Sequence, residues 1–512
     1  MLDVSMKFSF FGCFSCNSFA NKPKKSYLCK TLCAYAFFLM HVCAVKLCAE
    51  VERNTKYIPS KLFIINTFMA NVIKLKKGLT VNLAGKAAQD ISAARASKVY
   101  GLVPDAFWGM KPKVVVKEGD SVKAGDALFV DKLHPEVKFT SPVSGTVKAV
   151  ERGERRKVLS VQVEADAEQK FVDFGKQDVQ KMDGKAVKAL LLESGLFGYL
   201  LQRPYAVTAN PEDEPKGIFV STIQDMPLAQ DFDFVLRGQE QDFQRGIDAL
   251  AKLAPVYVGV KAPMDVKNAT VTVFQGKCPT GNVGVQINHV APVNKGEVVW
   301  TMGAEEVIFV GRLLRTGRLD LTRTLAVAGS EIVAPKYVKA LVGARIGDIV
   351  ADNVKKDVKV RFIDGNPLTG LKVCEECFLG AHTTEVTAIP EGDTADEAFG
   401  WIMPRLKEFS VSHTYLSWLF GSKKEYKMDA RIKGGERHMI MSGEYDSVFP
   451  MDIYPEQLVK AIIAGDIDRM EALGIYEVAP EDFAVAEFVD SSKVELQRIV
   501  REGLDMLRKE NA

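Results

Sequence analysis

Residues 113–150 read KVVVKEGDSVKAGDALFVDKLHPEVKFTSPVSGTVKAV. The turn signals in this stretch decide what kind of domain opens the globular body. Gly119-Asp120 and Gly125-Asp126 punctuate short apolar runs. Glycine accepts a positive φ and aspartate bonds its own backbone, so each pair predicts a tight turn. Ser141-Pro142-Val143-Ser144-Gly145 then starts a return strand over 146–150. Val137 and Phe139 alternate with Lys138 and Thr140, which predicts a strand with one buried face.

This arrangement resembles a barrel-sandwich hybrid domain of the biotinyl/lipoyl type. In a swinging-arm carrier the modified lysine stands at the tip of a hairpin, and Lys132, after Asp131, is the only candidate. Leu133-His134-Pro135 follows it, and the connection to Ser141-Pro142 is longer than in the lipoyl pattern. Proline supplies no backbone donor and restricts His134, so the turn is expected to centre beyond Lys132. An unmodified structural lysine is the favoured expectation. A biotin- or lipoyl-type carrier is the alternative.

A chain of 512 residues is long enough for three or four domains. Apolar residues make up 47% and charged residues 26%, the balance of an ordinary folded protein. The net charge of +2 hides an asymmetry: residues 1–68 hold nine Lys/Arg against three Asp/Glu, which leaves the rest mildly acidic. Without a basic stripe, nucleic acid is excluded as an expected partner. Six of the nine cysteines, Cys13, Cys16, Cys29, Cys33, Cys43 and Cys48, also lie in this leader. Only Cys278, Cys374 and Cys377 remain, which predicts a reduced body without a disulfide framework.

Within the leader, Lys22, Lys24 and Lys25 precede an apolar stretch over 34–45, in the manner of a signal peptide. That stretch, interrupted by His41, is short for a bilayer span. Met69 opens an alternating strand start. We expect residues 1–68 to be a start-site artefact, with a signal or membrane anchor as the alternative.

After residue 173 the period changes. Helices are expected over 185–194 and 239–253, the second with Phe243, Ile247 and Leu250 on one face, and strands over 218–221, 256–260 and 269–274. Alternation of this kind implies an α/β domain with a largely parallel sheet, Rossmann-like in order. A nucleotide cradle needs glycines after the first strand, whereas this turn reads Thr222-Ile223-Gln224-Asp225-Met226-Pro227. Short strands return over 324–328, 331–333, 358–362 and 384–389, with a helix-like segment at 337–342, which suggests a β-grasp domain. The last hundred residues are expected to be mainly helical. Pro455 sits at a first turn ahead of Leu458, Ile462 and Ile463, and Leu496, Ile499, Val500, Leu504 and Leu507 share a stripe. The expected domains are therefore 69–168 (barrel-sandwich), 169–320 (α/β), 321–392 (β-grasp, SLBB-like) and 393–512 (helical).

Several stretches, in this order, carry a specific resemblance. They are IKLKKGL at 73–79, Gly109-Met110-Lys111-Pro112, the 137–147 run, Leu192-Glu193-Ser194-Gly195-Leu196, Arg203-Pro204, Pro227-Leu228-Ala229, Val310-Gly311-Arg312-Leu313 with Thr316-Gly317, and Ser442-Gly443-Glu444-Tyr445 leading to Pro450-Met451-Asp452-Ile453. The chain resembles the A subunits of sodium-translocating NADH:quinone oxidoreductases. The resemblance implies a peripheral subunit on the cytoplasmic face of the bacterial inner membrane, with five partner subunits, some of them integral to the membrane. That complex oxidises NADH, reduces ubiquinone or menaquinone and exports sodium. NAD, FAD, FMN and Fe-S groups are then expected on other subunits, with no cofactor held tightly here and quinone as the complex's substrate. The chain is also distantly similar to the flavin-binding subunit of respiratory complex I and to the Rnf C subunit. It departs from them in lacking a glycine-rich phosphate loop and in having no cysteine over 483–493, where a cluster would need thiolates. A flavin or iron–sulfur dehydrogenase module of that type remains an alternative.

Candidate sites are few, and no catalytic, metal or cofactor ligand is expected. Phe107, Trp108 and Met110 form an apolar turn suited to a quinone headgroup or a partner surface, with gap filling between domains the blander reading. The Cys374-Glu375-Glu376-Cys377 pair cannot complete a zinc or cluster site and is expected as free thiols, although His382 lies nearby. Cys278-Pro279-Thr280-Gly281-Asn282-Val283-Gly284 is expected to be a glycine-specified turn, with a ligand-adjacent loop as the alternative, and His289 a hydrogen-bonded structural histidine.

Overall fold

The computed structural model describes residues 71–393, 405–420 and 424–511, so the leader and its expected origin lie outside the described residues. Seven short strands build the first domain as two antiparallel sheets. Val99–Leu102, Val158–Ala165, Gly145–Arg152 and Ser121–Val122 form one; Pro112–Val114, Ala127–Asp131 and Lys138–Thr140 form the other. Both Gly-Asp turns close in the same way. The Asp120 and Asp126 carboxylates each accept the N–H three residues earlier at 2.7 Å, while Gly119 and Gly125 take φ of +89° and +102°. Phe129, Phe139, Val147 and Val161 fill the interior. Val137 and Phe139 point inward as expected, but Thr140 is buried too. Its hydroxyl donates to Ser194 O at 3.0 Å, because the outer face of this strand meets the next domain rather than solvent.

The second domain centres on a seven-stranded sheet in the order Asn71–Lys74, Thr270–Gln275, Val256–Val260, Ile218–Ser221, Val299–Thr301, Leu201–Arg203, Val207–Thr208. The first five run parallel and the last two are antiparallel additions. Helices Gly184–Ser194, Glu240–Leu250, Val283–Val290 and Ala304–Thr316 belong to this part of the chain. Gly246 and Gly311 allow two of them to touch: a Cβ on Gly311 would stand 1.8 Å from Asp242 O.

A six-stranded mixed sheet follows, in the order Leu371–Val373, Val360–Asp364, Glu385–Pro390, Thr322–Ala328, Lys336–Leu341, Ala88–Ala93. Two local expectations change here. The segment expected to be helix-like at 337–342 is the strand Lys336–Leu341, paired antiparallel with Thr322–Ala328. Its Tyr337 and Val338 fit a pleated, half-buried surface, and the phenol of Tyr337 accepts the Asp231 N–H at 2.7 Å. Residues 331–333 make only an isolated bridge, Ile332 to Val354, because Asn353 takes both backbone groups of Ala334 into a loop. Residues 71–93, grouped by sequence with the barrel-sandwich, instead supply edge strands to the other two sheets.

The C-terminal part is helical: Glu444–Val448, Pro455–Ala464, Ile467–Ala472, Ala484–Val489 and Leu496–Glu510. Leu458, Ile462, Leu496, Val500, Leu504 and Leu507 join one apolar cluster with Tyr445 and Phe483. Ile463 is 57% exposed, because one step along the helix turns it away from the face that Leu458 and Ile462 bury.

Candidate functional site

In a parallel sheet the usable crevice opens beyond the carboxyl ends of the strands, where the connections diverge to either side. Here that point is Ile218–Ser221, flanked by Val256–Val260 on one side and Val299–Thr301 on the other. A cleft of about 920 Å3 lies at this edge, lined by the 222–233 turn, Lys261 and the 274–280 loop, with Thr80–Leu83 and Lys86 opposite. The connection after Ile218–Ser221 reaches no helix until Phe232–Val235, so the strand–turn–helix geometry of a phosphate cradle is absent.

The chain's own side chains occupy the polar positions. Asp225 Oδ2 accepts the Gly281 N–H at 2.9 Å, and Ser221 Oγ donates to Gly281 O at 2.7 Å. Burial pushes the Asp225 carboxyl up to about 6, against the Gly281 and Thr280 amides and the charge of Lys261. Gly281 is required by close approach rather than by a positive φ: a Cβ there would meet Ile223 O at 2.5 Å. Residues 278–282 form a turn that packs against the first connection, with Cys278 and Thr280 lining the cleft, and Val283 and Gly284 open the helix that follows.

The neighbouring helix Val283–Val290 would offer its positive end to an anion. Asp482, from the C-terminal part, packs against its first turn. Asn282 Nδ2 donates to Asp482 Oδ1 at 3.1 Å, and a Cβ on Gly284 would lie 2.3 Å from Asp482 Oδ2. Burial, helped by the neighbouring charge of Glu481, raises the Asp482 carboxyl to about 7. Arg203, nearly sealed from solvent, donates to Glu481 at 2.7 Å and fastens the same junction. His289 Nδ1 bonds Val285 O one turn back at 2.9 Å, a structural contact within its helix.

A second polar centre lies where the first three domains converge. Fully buried Arg323 donates to Glu305 at 3.1 Å, to Glu306, and to Ala381 O at 2.6 Å. His382 Nδ1 stands 3.6 Å from Glu306. Burial pushes Glu305 up to about 7, whereas at Glu306 the attraction of Arg323 and His382 outweighs burial and holds it at about 2. Both carboxylates pair with the guanidinium, yet Glu305 is the one that burial leaves readier to take up a proton. Phe107 caps this centre, its ring centroid 5.7 Å from His382, 4.4 Å from Phe139 and 5.6 Å from Tyr199.

The three residues expected as a quinone or partner contact are adjacent but do not share a pocket. Phe107 is buried in that aromatic cluster, Met110 is half-buried against the core, and the Trp108 side chain is 49% exposed. None of them lines the cleft. Cys374 and Cys377, expected as free thiols, are joined by a disulfide. The tight turn that bonds Cys377 N to Cys374 O at 3.1 Å brings positions i and i+3 together, a proximity that ligand counting does not consider. Cys278 is free and buried. Sequence reasoning missed Asp225, Asp482 and Arg323. Only an arginine inside the apolar run Leu321–Ala328 was a visible signal.

No group of three or more potential ligands able to hold a metal occurs among the described residues. The fold and site together define a multidomain protein with a barrel-sandwich hybrid domain, an α/β domain, a mixed-sheet domain and a helical C-terminal part, in which buried carboxyls pack at the crevice. The family models for the NqrA N-terminal barrel-sandwich hybrid domain, the NqrA second alpha/beta domain and the NQRA C-terminal domain match residues 73–166, 182–319 and 324–375. The A subunit of the Na(+)-translocating NADH-quinone reductase of Haemophilus influenzae is 35% identical over 456 residues, spanning 86% of this chain and 100% of the relative. Those of Neisseria meningitidis serogroup B and Yersinia pestis are each 34% identical, with the same shares covered. A solved NAD+-reducing NiFe-hydrogenase in the H2-reduced state is only weakly similar, at TM-score 0.29 and 13% identity over 41% of this chain and 50% of that one. The chain belongs to the NqrA family, the A subunits of the Na(+)-translocating NADH-quinone reductase.

Proposed function

We propose that this chain is a peripheral subunit on the cytoplasmic face of the sodium-pumping NADH:quinone reductase, contributing to the quinone-reduction step as a scaffold and through contacts at Trp108 and Met110, with Phe107 anchoring their turn from below. In this reading NAD, FAD, FMN and Fe-S groups reside on other subunits, five in number. The domains divide near residues 168, 320 and 392; the second is Rossmann-like and the third a β-grasp of the SLBB type. The observation that carries the reading is Asp482, which packs against the first turn of helix Val283–Val290 and accepts a hydrogen bond from Asn282 Nδ2. The space beside Gly284, through which an anionic group would approach this helix start, is taken by the Asp482 side chain.

Two further features support it. No helix among the described residues is long and apolar enough to cross a membrane. Large apolar side chains stand exposed between Leu406 and Met441, Trp418 and Leu419 among them, a surface suited to another subunit of the complex. Trp108→Ala, introduced into the assembled complex, tests the contact. We expect weakened assembly or a quinone KM raised about threefold or more, with stability of this chain within about 0.5 kcal/mol of wild type because the ring is half exposed. Unchanged assembly and unchanged quinone kinetics would remove the contact role.

A further inference from the structure

The disulfide between Cys374 and Cys377 lies in an exposed connection after strand Leu371–Val373, at one edge of the six-stranded sheet. Cys374, Glu375 and Glu376 are exposed, and Cys377 is half-buried. The backbone N–H of Cys374 points at Cys377 Sγ, 3.1 Å away. An N–H aimed at one sulfur of a disulfide favours negative charge on that sulfur, so it marks Cys377 as the better leaving thiolate and Cys374 as the position attacked. Exposure selects the same sulfur independently.

We propose that Cys374 and Cys377 form a dithiol–disulfide exchange site, reduced through Cys374 by an external dithiol whose approaching face is neutral or basic. A thiolate of that dithiol attacks Cys374 Sγ and forms a mixed disulfide; the Cys374–Cys377 bond breaks, and Cys377 leaves as a thiolate and takes a proton. The second thiol of the reductant then closes on the first, releasing Cys374 as a thiolate that is protonated in turn. Two electrons and two protons pass to the chain, and the reductant becomes a disulfide. Glu375 and Glu376, exposed and next after Cys374 in sequence, put negative charge in this connection and repel anionic thiols.

The connection has something to transmit. Glu375 O and Cys377 O accept the N–H groups of Gly347 and Ile346 at 2.8 and 2.9 Å, fixing the start of helix Ile346–Val350. Phe378, the next residue, bridges to Arg345 and lies over Gly101 of the barrel-sandwich, where a Cβ would meet its ring at 2.4 Å. Gly101 N–H donates to Gly343 O at 2.9 Å, and Arg345 N–H to Ser97 Oγ at 3.1 Å. The disulfide therefore clamps the loop that seats Phe378 between two domains.

The test uses the full chain purified without reductant. Reduction is followed by alkylation and peptide mass spectrometry at Cys374 and Cys377, with amide hydrogen exchange read at Ile346 and Gly347. We expect a disulfide-linked peptide that dithiothreitol converts to two alkylated thiols without unfolding, that oxidised dithiothreitol restores, and amides that exchange at least threefold faster once reduced. At matched thiolate concentration, cysteamine should react faster than glutathione, and Glu375→Gln/Glu376→Gln should narrow that difference. Thiols that stay free in oxidised dithiothreitol, or a bond that resists dithiothreitol until the chain unfolds, would overturn the exchange site. Faster reaction with glutathione than with cysteamine would overturn the partner class.

Discussion

The hairpin after Asp131 and the connection after Ser221 occupy corresponding places in their folds, the tip and the crevice where such domains mount their chemistry. Each holds an aspartate that ties down backbone. At the hairpin the device is local. Asp131 Oδ1 accepts Leu133 N–H at 3.0 Å and Lys111 N–H at 3.2 Å, and Lys132 N–H is spent on Lys111 O at 2.8 Å. Val137 N–H closes on His134 O at 2.9 Å, so the turn centres beyond Lys132, as its proline dictates. At the crevice the device is long-range: Asp225 reaches Gly281, and Asp482 reaches Asn282 from the far end of the chain. A ligand position can thus be filled by neighbours in sequence or by distant segments, and at the crevice burial raises the carboxyls of Asp225 and Asp482.

The largest effect should come from breaking the fully buried charge cluster around Arg323. Arg323→Ala leaves Glu305 and Glu306 buried without their guanidinium. We expect a loss of about 3–5 kcal/mol, read as a fall in the urea midpoint at pH 7.5. A loss below about 1 kcal/mol would mean that this cluster does not hold the domains together. Asp225→Asn sharpens the contrast through pH. The folded carboxyl titrates at about 6 and the unfolded one near 3.8. Between these values the unfolded chain has lost a proton that the folded chain keeps, so wild-type stability falls as pH rises from about 4 to 6. The asparagine variant should lack that fall, on the order of 2 kcal/mol after allowance for partial solvent access, measured as midpoint against pH. Parallel curves for the two proteins would contradict it. Smallest is Lys132→Gln, expected to change stability by less than about 0.5 kcal/mol and intact mass only by the substitution. An additional mass on wild-type Lys132 would restore the carrier alternative.

Local chemistry made much of the fold legible. Gly-Asp turns, the 184–194 and 240–250 helices, the parallel strands and Pro455 at a helix start all follow from residues close in sequence. The strand Lys336–Leu341 was not legible, because its partners, Thr322–Ala328 on one side and Ala88–Ala93 on the other, are what select pleat over helix. The candidate site was less legible still. At the crevice and its junction the key contacts span from 56 residues, Asp225 to Gly281, to 278, Arg203 to Glu481.

The family, the order of domains and the lack of a glycine cradle could all be read from the amino acids, since these rest on short motifs and local backbone preferences. Folding in three dimensions was needed to show that Asp482 packs against the start of helix Val283–Val290, that Arg323 carries two carboxylates, and that residues 71–93 complete the edges of two other sheets. Burial and pairing are properties of a site rather than of a residue. A carboxylate's charge state and an edge strand's partner are fixed only when distant segments remove water from between them.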